Sequence, residues 1–123
     1  HPAGMVDGTI TPAQIALQEV KEETGIEITP GQLFPLQNGT RLFPSTGTSD
    51  ECMYFYFCEL VLPKTKIDEL NNKNMGTDYE FERITTVVLP FLEAHKKINN
   101  TNGLLLNYLY LSHIKDWELL KKL

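Results

Sequence analysis

The sequence predicts an α/β fold in which a β-sheet is sandwiched between helices. Three observations carry this prediction: helix start and stop signals around residues 11–25, an aromatic run from Glu51 to Leu62, and a broad apolar stripe after Asn102. Both faces of the aromatic run are apolar, which indicates a central strand covered on each side. With 123 residues and 41% hydrophobic content, the chain has the size of one globular domain.

The helix over residues Thr11–Gly25 has start and stop signals at both ends. Thr11 is suited to be the N-cap, Pro12 fits the first helical position, and Gln14 completes a capping box three residues after the cap. Gly25 is suited to end the helix because glycine adopts the left-handed conformation without a steric cost. We therefore expect a short, well-defined helix.

The other elements are predicted from turn residues and periodicity. Asn38–Asp50 and Asn71–Thr77 are rich in turn residues and are predicted to be loops. Short strands are predicted at Gln32–Gln37 and Glu80–Val88. The remaining predicted helices are Thr65–Leu70, a segment from Leu89-Pro90 to about Ile98, and a longer one from Asn102 to the end of the chain.

The net charge and the cysteine content limit the binding partners and the cellular location that we expect for the protein. The formal charge of −5 argues against a surface that binds a nucleic-acid backbone, because such surfaces concentrate lysine and arginine. Cys52 and Cys58 lie about 20 Å apart along a regular strand, too far for a disulfide. Reduced thiols fit a cytoplasmic location. No apolar run is long enough to cross a membrane, so we expect neither membrane nor nucleic-acid partners.

Three carboxylates form the candidate metal site. Glu19, Glu22 and Glu23 have i, i+3, i+4 spacing, which places them on one face of the predicted helix. Their mutual repulsion favours a divalent cation, and carboxylate oxygens suit Mg²⁺, with Mn²⁺ as a second possibility. Taken without its neighbours, this spacing is more often a solvated acidic surface than a metal site.

The residues around these carboxylates form a longer motif. Gly4 to Ile26 reads GMVDGTITPAQIALQEVKEETGI. It resembles the Nudix box, G-x5-E-x7-R-E-u-x-E-E-x-G-u with u apolar. Two positions depart from the box, because Ile10 stands where the family has its first glutamate and Gln18 where it has arginine. The matching positions are Gly4, Glu19, Val20, Glu22, Glu23, Gly25 and Ile26.

A second segment points to one branch of this family. Arg41 to Phe57 reads RLFPSTGTSDECMYFYF and is similar to the S-P-G-x-x-D-E segment of ADP-ribose and ADP- or UDP-sugar diphosphatases. The His1-Pro2-Ala3-Gly4 entry also looks like that of the sugar-nucleotide branch. Thr46 replaces the proline that commonly marks ADP-ribose hydrolysis. This resemblance implies substrate-binding roles for four residues: Arg41, Ser45, Gly47 and Glu51.

The resemblance implies the α/β Nudix fold, with a mixed β-sheet sandwiched between helices. It also implies an enzyme that hydrolyses the diphosphate bond of a nucleoside-diphosphate sugar with Mg²⁺. Glu19, Glu22 and Glu23 would bind the metal, with Glu22 and Glu23 also catalytic. The family has an acidic residue near the metals in the 76–90 region, for which Glu82 aligns better than Glu80. The alternatives are hydrolysis of ADP-ribose, dinucleoside polyphosphates or coenzymes, and a non-catalytic nucleotide-binding module.

The resemblance also bears on what surrounds this chain. In the family, the box follows at least two strands of the sheet, and sugar-nucleotide members often have an N-terminal region that helps to form a homodimer. We therefore expect residues 1–123 to be the Nudix domain in the C-terminal part of a longer protein, with the N-terminal strands missing and a homodimer as its assembly.

Overall fold

The computed structural model describes residues 1–76 and 83–123. The chain forms two compact units. Unit 1 consists of His1–Leu33 and Cys58–Leu89, and unit 2 consists of Phe34–Phe57 and Pro90–Leu123. Each unit contains helices and one short antiparallel strand pair, which confirms the predicted α/β class.

Unit 1 contains the first helix, α1, at Pro12–Thr24. The Thr11 hydroxyl accepts from the Gln14 backbone N–H, and the Gln14 side chain accepts from the Thr11 backbone N–H, so the predicted capping box is confirmed. Gly25 ends the helix with φ 74° and ψ 6°, and its N–H donates to the Lys21 carbonyl. Local residue chemistry therefore fixes both ends of α1.

The rest of unit 1 contains a 3-10 helix at Pro30–Gln32, a second α-helix and a strand pair. Helix α2 spans Lys64–Leu70, close to its predicted bounds. Strand β3 at Asn74–Met75 pairs antiparallel with β4 at Ile84–Thr85, with Asn74 opposite Thr85. The predicted loop Asn71–Thr77 was therefore partly wrong, because its middle forms a strand. Residues 80–82 of the predicted strand Glu80–Val88 lie outside the described residues.

The strand pair of unit 2 is shorter than the sequence predicts. Strand β1 at Phe34–Pro35 pairs antiparallel with β2 at Tyr56–Phe57, and an isolated bridge joins Leu42 to Met53. The predicted strand Gln32–Gln37 is thus reduced to two paired residues, and the predicted strand Glu51–Leu62 is reduced to Tyr56–Phe57 and the bridge at Met53. Beyond Leu36, which is 1% exposed, Gln37 and Asn38 have positive φ, and the chain turns away from an extended path.

Three helices complete unit 2. Helix α3 spans Phe91–Lys97, α4 spans Thr101–Ile114, and α5 spans Trp117–Leu120. The prediction of one continuous helix from Asn102 to the end was wrong. Lys115 adopts the left-handed conformation, and the Asp116 carboxylate accepts from the Leu119 N–H, which ends α4 and starts a separate helix.

The core of unit 2 includes a polar contact between two helices. Asn107 on α4 is 4% exposed, and its amide is hydrogen-bonded to the His95 Nδ1 on α3 at 3.0 Å. The apolar side chains of Leu36, Phe55 and Leu111, in the same unit, are also buried. His95 is therefore a packed helix residue, with the Tyr108 ring as a second, edge-on contact.

Among residues 1–76 and 83–123, no helix is both long enough and apolar enough to cross a membrane. Cys52 and Cys58 are both half-buried and free of disulfides. Burial raises the pKa of the Cys58 thiol, because removing the thiolate from water penalises the charged form.

Candidate active site

Helix α1 carries the three glutamates of the predicted metal site, all in unit 1. The i, i+3, i+4 spacing keeps them within about one helical turn of each other. Their surroundings nevertheless differ. Glu19 is 8% exposed and shares the buried side of α1 with Ile15, whereas Glu22 and Glu23 are half-buried.

The Glu19 side chain lies against the backbone of Gly4. A Cβ atom added at Gly4 would lie 2.6 Å from the Glu19 Cγ and closer still to its carboxylate. Close approach of backbone to side chain is a recognised use of glycine. The sequence motif contained both residues, but the motif alone did not predict that they touch.

Glu22 is held through both its side chain and its backbone. The Gln18 amide Nε2 donates to the Glu22 Oε1 at 3.0 Å, and the Gly76 N–H donates to the Glu22 carbonyl at 3.3 Å. Gln18 stands where the Nudix box has arginine, so a neutral donor supplies this contact. The hydrogen bond from Gly76, which directly follows β3, links α1 to that strand.

Glu23 accepts a hydrogen bond from the segment that precedes α1. The Ala3 backbone N–H donates to the Glu23 Oε2 at 3.3 Å. Lys21, on an exposed part of the same helix, pairs with Glu27 at 2.7 Å. This hydrogen bond and the nearby charge lower the pKa of the Glu27 carboxyl and raise that of the Lys21 ammonium. Glu27 is therefore engaged away from the glutamate cluster.

The donor chemistry of the three glutamates suits a hard divalent cation, because all three offer carboxylate oxygens. Their carboxylates contact three different groups: Gly4, the Gln18 amide and the Ala3 N–H. Within the part of the chain that the structure describes, no three His, Cys, Asp or Glu side chains converge as a metal site would require. The ligand types therefore fit Mg²⁺, and the side chains would have to reorient to share one ion.

The four predicted substrate-binding residues all lie in unit 2 and are exposed. Arg41 lies over the Phe43 ring, with its guanidinium carbon 5.9 Å from the ring centroid. The Ser45 hydroxyl contacts the Thr48 hydroxyl at 2.5 Å, so Ser45 also stabilises a turn. A Cβ at Gly47 would meet no atom within 4 Å, and Glu51 is solvent-exposed. Their substrate-binding roles remain predictions.

The acidic residue predicted for the 76–90 region lies outside the residues that the structure describes. Glu80 and Glu82 both lie within residues 77–82, which the structure does not describe. The assignment of Glu82 as a catalytic group therefore remains a prediction from the sequence.

Comparison with known proteins gives two matches. Residues 1–106 match the profile of the NUDIX domain. The chain is 30% identical over 122 residues to Nudix hydrolase 14, chloroplastic, from Arabidopsis thaliana. That alignment covers 89% of this chain and 38% of the relative, so the chain spans well under half the length of that protein. No solved structure gives a significant match.

Proposed function

Because the chain belongs to the Nudix family, we propose that it hydrolyses the diphosphate bond of a nucleoside-diphosphate sugar. The products would be a nucleoside monophosphate and a sugar phosphate. The observation that carries the proposal is the placement of Glu19, Glu22 and Glu23 on α1 within a stretch that matches the Nudix box from Gly4 to Ile26.

Nudix hydrolases generally use divalent metal ions such as Mg²⁺, and we assign Glu19, Glu22 and Glu23 as the residues that would hold one here. Bound Mg²⁺ would lower the pKa of a water ligand and offset negative charge on the phosphates. The regular helix α1, capped at both ends, supports this assignment, because metal ligands on a regular element are held in a fixed relation to each other.

Three residues carry the proposed catalytic roles, and two of them are also assigned to the metal. Glu22 and Glu23 would act at the reaction centre, with Glu82 as a candidate base that accepts the proton of the attacking water. The support for Glu82 is its alignment with the acidic residue of the family's 76–90 region.

The choice of a nucleotide sugar as substrate rests on the Arg41–Phe57 segment. Arg41 would bind a phosphate through its guanidinium group, which matches phosphate oxygens in geometry and charge. Ser45, Gly47 and Glu51 would line the substrate. Thr46 stands where proline commonly marks ADP-ribose hydrolysis, and this favours a sugar nucleotide over ADP-ribose. We expect a homodimer, as in the sugar-nucleotide branch that the segment resembles.

A substrate panel tests the proposal. The complete natural protein is incubated with ADP-glucose, UDP-glucose, GDP-mannose and ADP-ribose, in Mg²⁺ and in EDTA, and the nucleoside monophosphate is measured. We expect Mg²⁺-dependent release from at least one sugar nucleotide, faster than from ADP-ribose. Faster cleavage of ADP-ribose would overturn the substrate class, and absence of cleavage from all four would overturn the proposed reaction.

The second candidate is a non-catalytic nucleotide-binding module. Two observations favour it: Ile10 and Gln18 depart from the Nudix box, and the three glutamates contact separate groups. Such a module would bind nucleotide without Mg²⁺-dependent turnover. Isothermal titration in EDTA, together with the substrate panel, separates the two functions.

A further inference from the structure

The chain contains the Asn-Gly pairs Asn38-Gly39 and Asn102-Gly103, and both belong to unit 2. An asparagine before glycine is prone to lose its side-chain amide, because glycine has no Cβ to hinder attack of its backbone nitrogen on that side chain. Since the two pairs have the same residue types, the sequence does not distinguish them. Their structural surroundings do.

The first pair lies in a turn with an uncommon backbone. Asn38 is exposed, and Gln37, Asn38 and Gly39 have φ of 50°, 54° and 72°. Left-handed conformations are unfavourable for residues that carry a Cβ, and they normally occur singly. A Cβ added at Gly39 would meet no heavy atom closer than the Pro35 Cβ, at 3.8 Å. This turn is therefore strained, and the space around its glycine is open.

The turn lies between two anchored points of the backbone. Before it, the Leu36 N–H donates to the Phe55 carbonyl at 2.8 Å, and after it, Leu42 and Met53 exchange hydrogen bonds at 3.0 and 2.8 Å. Within the turn, the Gly39 N–H donates to the Leu36 carbonyl at 3.0 Å. Opening the turn breaks this inner bond and leaves both anchors in place. The glycine nitrogen therefore becomes reactive by local opening, without unfolding of unit 2.

The second pair lies in the first turn of α4, a helix of 14 residues. Gly103 is buried, and its N–H donates to the Asn100 Oδ1 at 2.7 Å. A Cβ added at Gly103 would lie 2.8 Å from the Ile98 Cγ2, so the backbone is closely packed here. Attack of the Gly103 nitrogen on Asn102 requires loss of the N-cap and of this packing. The helix start therefore protects Asn102.

We propose that Asn38 is a site of spontaneous deamidation in the folded protein, whereas α4 protects Asn102. The Gly39 nitrogen gives its proton to solvent and attacks the Asn38 Cγ. A bond forms between this nitrogen and Cγ, the bond between Cγ and Nδ2 breaks, and ammonia leaves. Water then opens the cyclic imide, giving aspartate or isoaspartate according to which carbonyl it attacks. One water is consumed for each ammonia released, and nothing is oxidised or reduced.

Both products change the same surface turn. A new carboxylate appears three residues before Arg41, so the formal charge of −5 becomes more negative by one. Isoaspartate also lengthens the backbone of the turn, because the chain then runs through the side-chain carbon atoms. The anchors at Leu36 and Leu42 hold the two ends, so the modified chain stays folded. This inference does not depend on the proposed reaction.

The test compares the two sites within one molecule. The complete wild-type protein is kept in mildly alkaline buffer, with and without urea, then digested in acid and analysed by mass spectrometry for each form of residues 38 and 102. We expect Asn38 to convert faster than Asn102 by about 10-fold or more in the folded protein, and at a similar rate in urea, because only the folded state has different local opening free energies. Equal rates in the folded protein, or an Asn38 that converts only in urea, would overturn the proposal.

Two variants test the cause of the difference. Asn100→Ala removes the acceptor of the Gly103 N–H and should speed conversion of Asn102 by about 5-fold, which corresponds to the loss of about 1 kcal/mol typical of a missing N-cap. Its Asn38 rate should equal that of the wild type. An unchanged Asn102 rate would contradict protection by the start of α4.

Asn38→Gly removes the reactive amide and retains a residue that tolerates positive φ. On isoelectric focusing, the acidic form that accumulates in the wild type should be largely absent from this variant. Equal accumulation in both proteins would show that Asn38 is not the modified residue.

Discussion

Replacement of Gly25 by alanine tests whether the left-handed residue at the end of α1 stabilises this helix. Gly25 has φ 74°, and its N–H donates to the Lys21 carbonyl at 2.8 Å. A non-glycine residue in this conformation costs about 1–2 kcal/mol. Lower entropy of the unfolded alanine chain offsets about 0.4–1 kcal/mol of that cost. The added Cβ would also lie 2.7 Å from the flexible Lys73 Nζ, which can move aside.

We therefore expect Gly25→Ala to lower the free energy of unfolding by about 1 kcal/mol, the difference between these two effects. For a chain of 123 residues this corresponds to a Tm lower by about 3–6 °C. Thermal unfolding followed by circular dichroism measures the change. Gly31→Ala is the control, and Gly25→Asn should lose less than Gly25→Ala because asparagine tolerates this conformation. A Gly25→Ala protein as stable as the Gly31→Ala control would refute the reasoning.

Three further predictions concern the cap of α1, a thiol and the contact to Glu22. Thr11→Ala should lower the free energy of unfolding by about 1 kcal/mol through loss of the N-cap, as measured by urea unfolding, whereas Thr11→Ser should retain most of it. Burial raises the pKa of the Cys58 thiol in the folded protein. The neutral thiol therefore contributes to the free energy of unfolding below about pH 8.5, and this contribution is lost as the pH rises through the raised pKa. In a Cys52→Ser protein, the pH profile of thiol labelling should therefore be shifted upward relative to urea-unfolded protein, and a coincident or lower profile would contradict this. Gln18→Leu should lower the free energy of unfolding by only about 0.2–0.5 kcal/mol, because the hydrogen bond from Gln18 to Glu22 is exposed. A loss above about 1 kcal/mol in urea unfolding would contradict this prediction.

The sequence predicted α1 well because its ends are determined by local residues. The helix was predicted over Thr11–Gly25, and the structure has it at Pro12–Thr24 with Thr11 and Gly25 as its two caps. The cap at Thr11 and the left-handed turn at Gly25 each involve atoms within four residues along the chain. Such contacts can be inferred from residue types alone.

The strands were predicted less well because pairing depends on distant residues. The aromatic run Glu51–Leu62 suggests a long strand, yet only Tyr56–Phe57 form a paired strand with Phe34–Pro35. Pro35 has no N–H to donate, and the positive φ of Gln37 stops extension of β1. The side-chain alternation was visible in the sequence, while the length of the partner strand was not.

In the candidate site, too, the features that depend on nearby residues were predicted and the contacts between distant residues were not. The spacing of the glutamates predicted their placement on one helix, and the structure confirms that α1 carries them. The contacts of Gly4 with Glu19 and of Ala3 with Glu23 join residues 15 and 20 positions apart, and no periodicity predicts such contacts. The motif identified Gly4 as a conserved position of the box pattern, but it did not show that Glu19 packs against the Gly4 backbone.

The central claim is that the α1 glutamates support Mg²⁺-dependent hydrolysis of a diphosphate bond. The most direct measurement is the rate of nucleoside monophosphate release in Mg²⁺ by wild type, Glu22→Gln and the matched control Glu27→Gln, whose residue pairs with Lys21. We predict that Glu22→Gln lowers the rate by about 100-fold or more, the typical loss for one electrostatic group at a reaction centre, and that Glu27→Gln does not. Equal rates in wild type and Glu22→Gln would contradict the account.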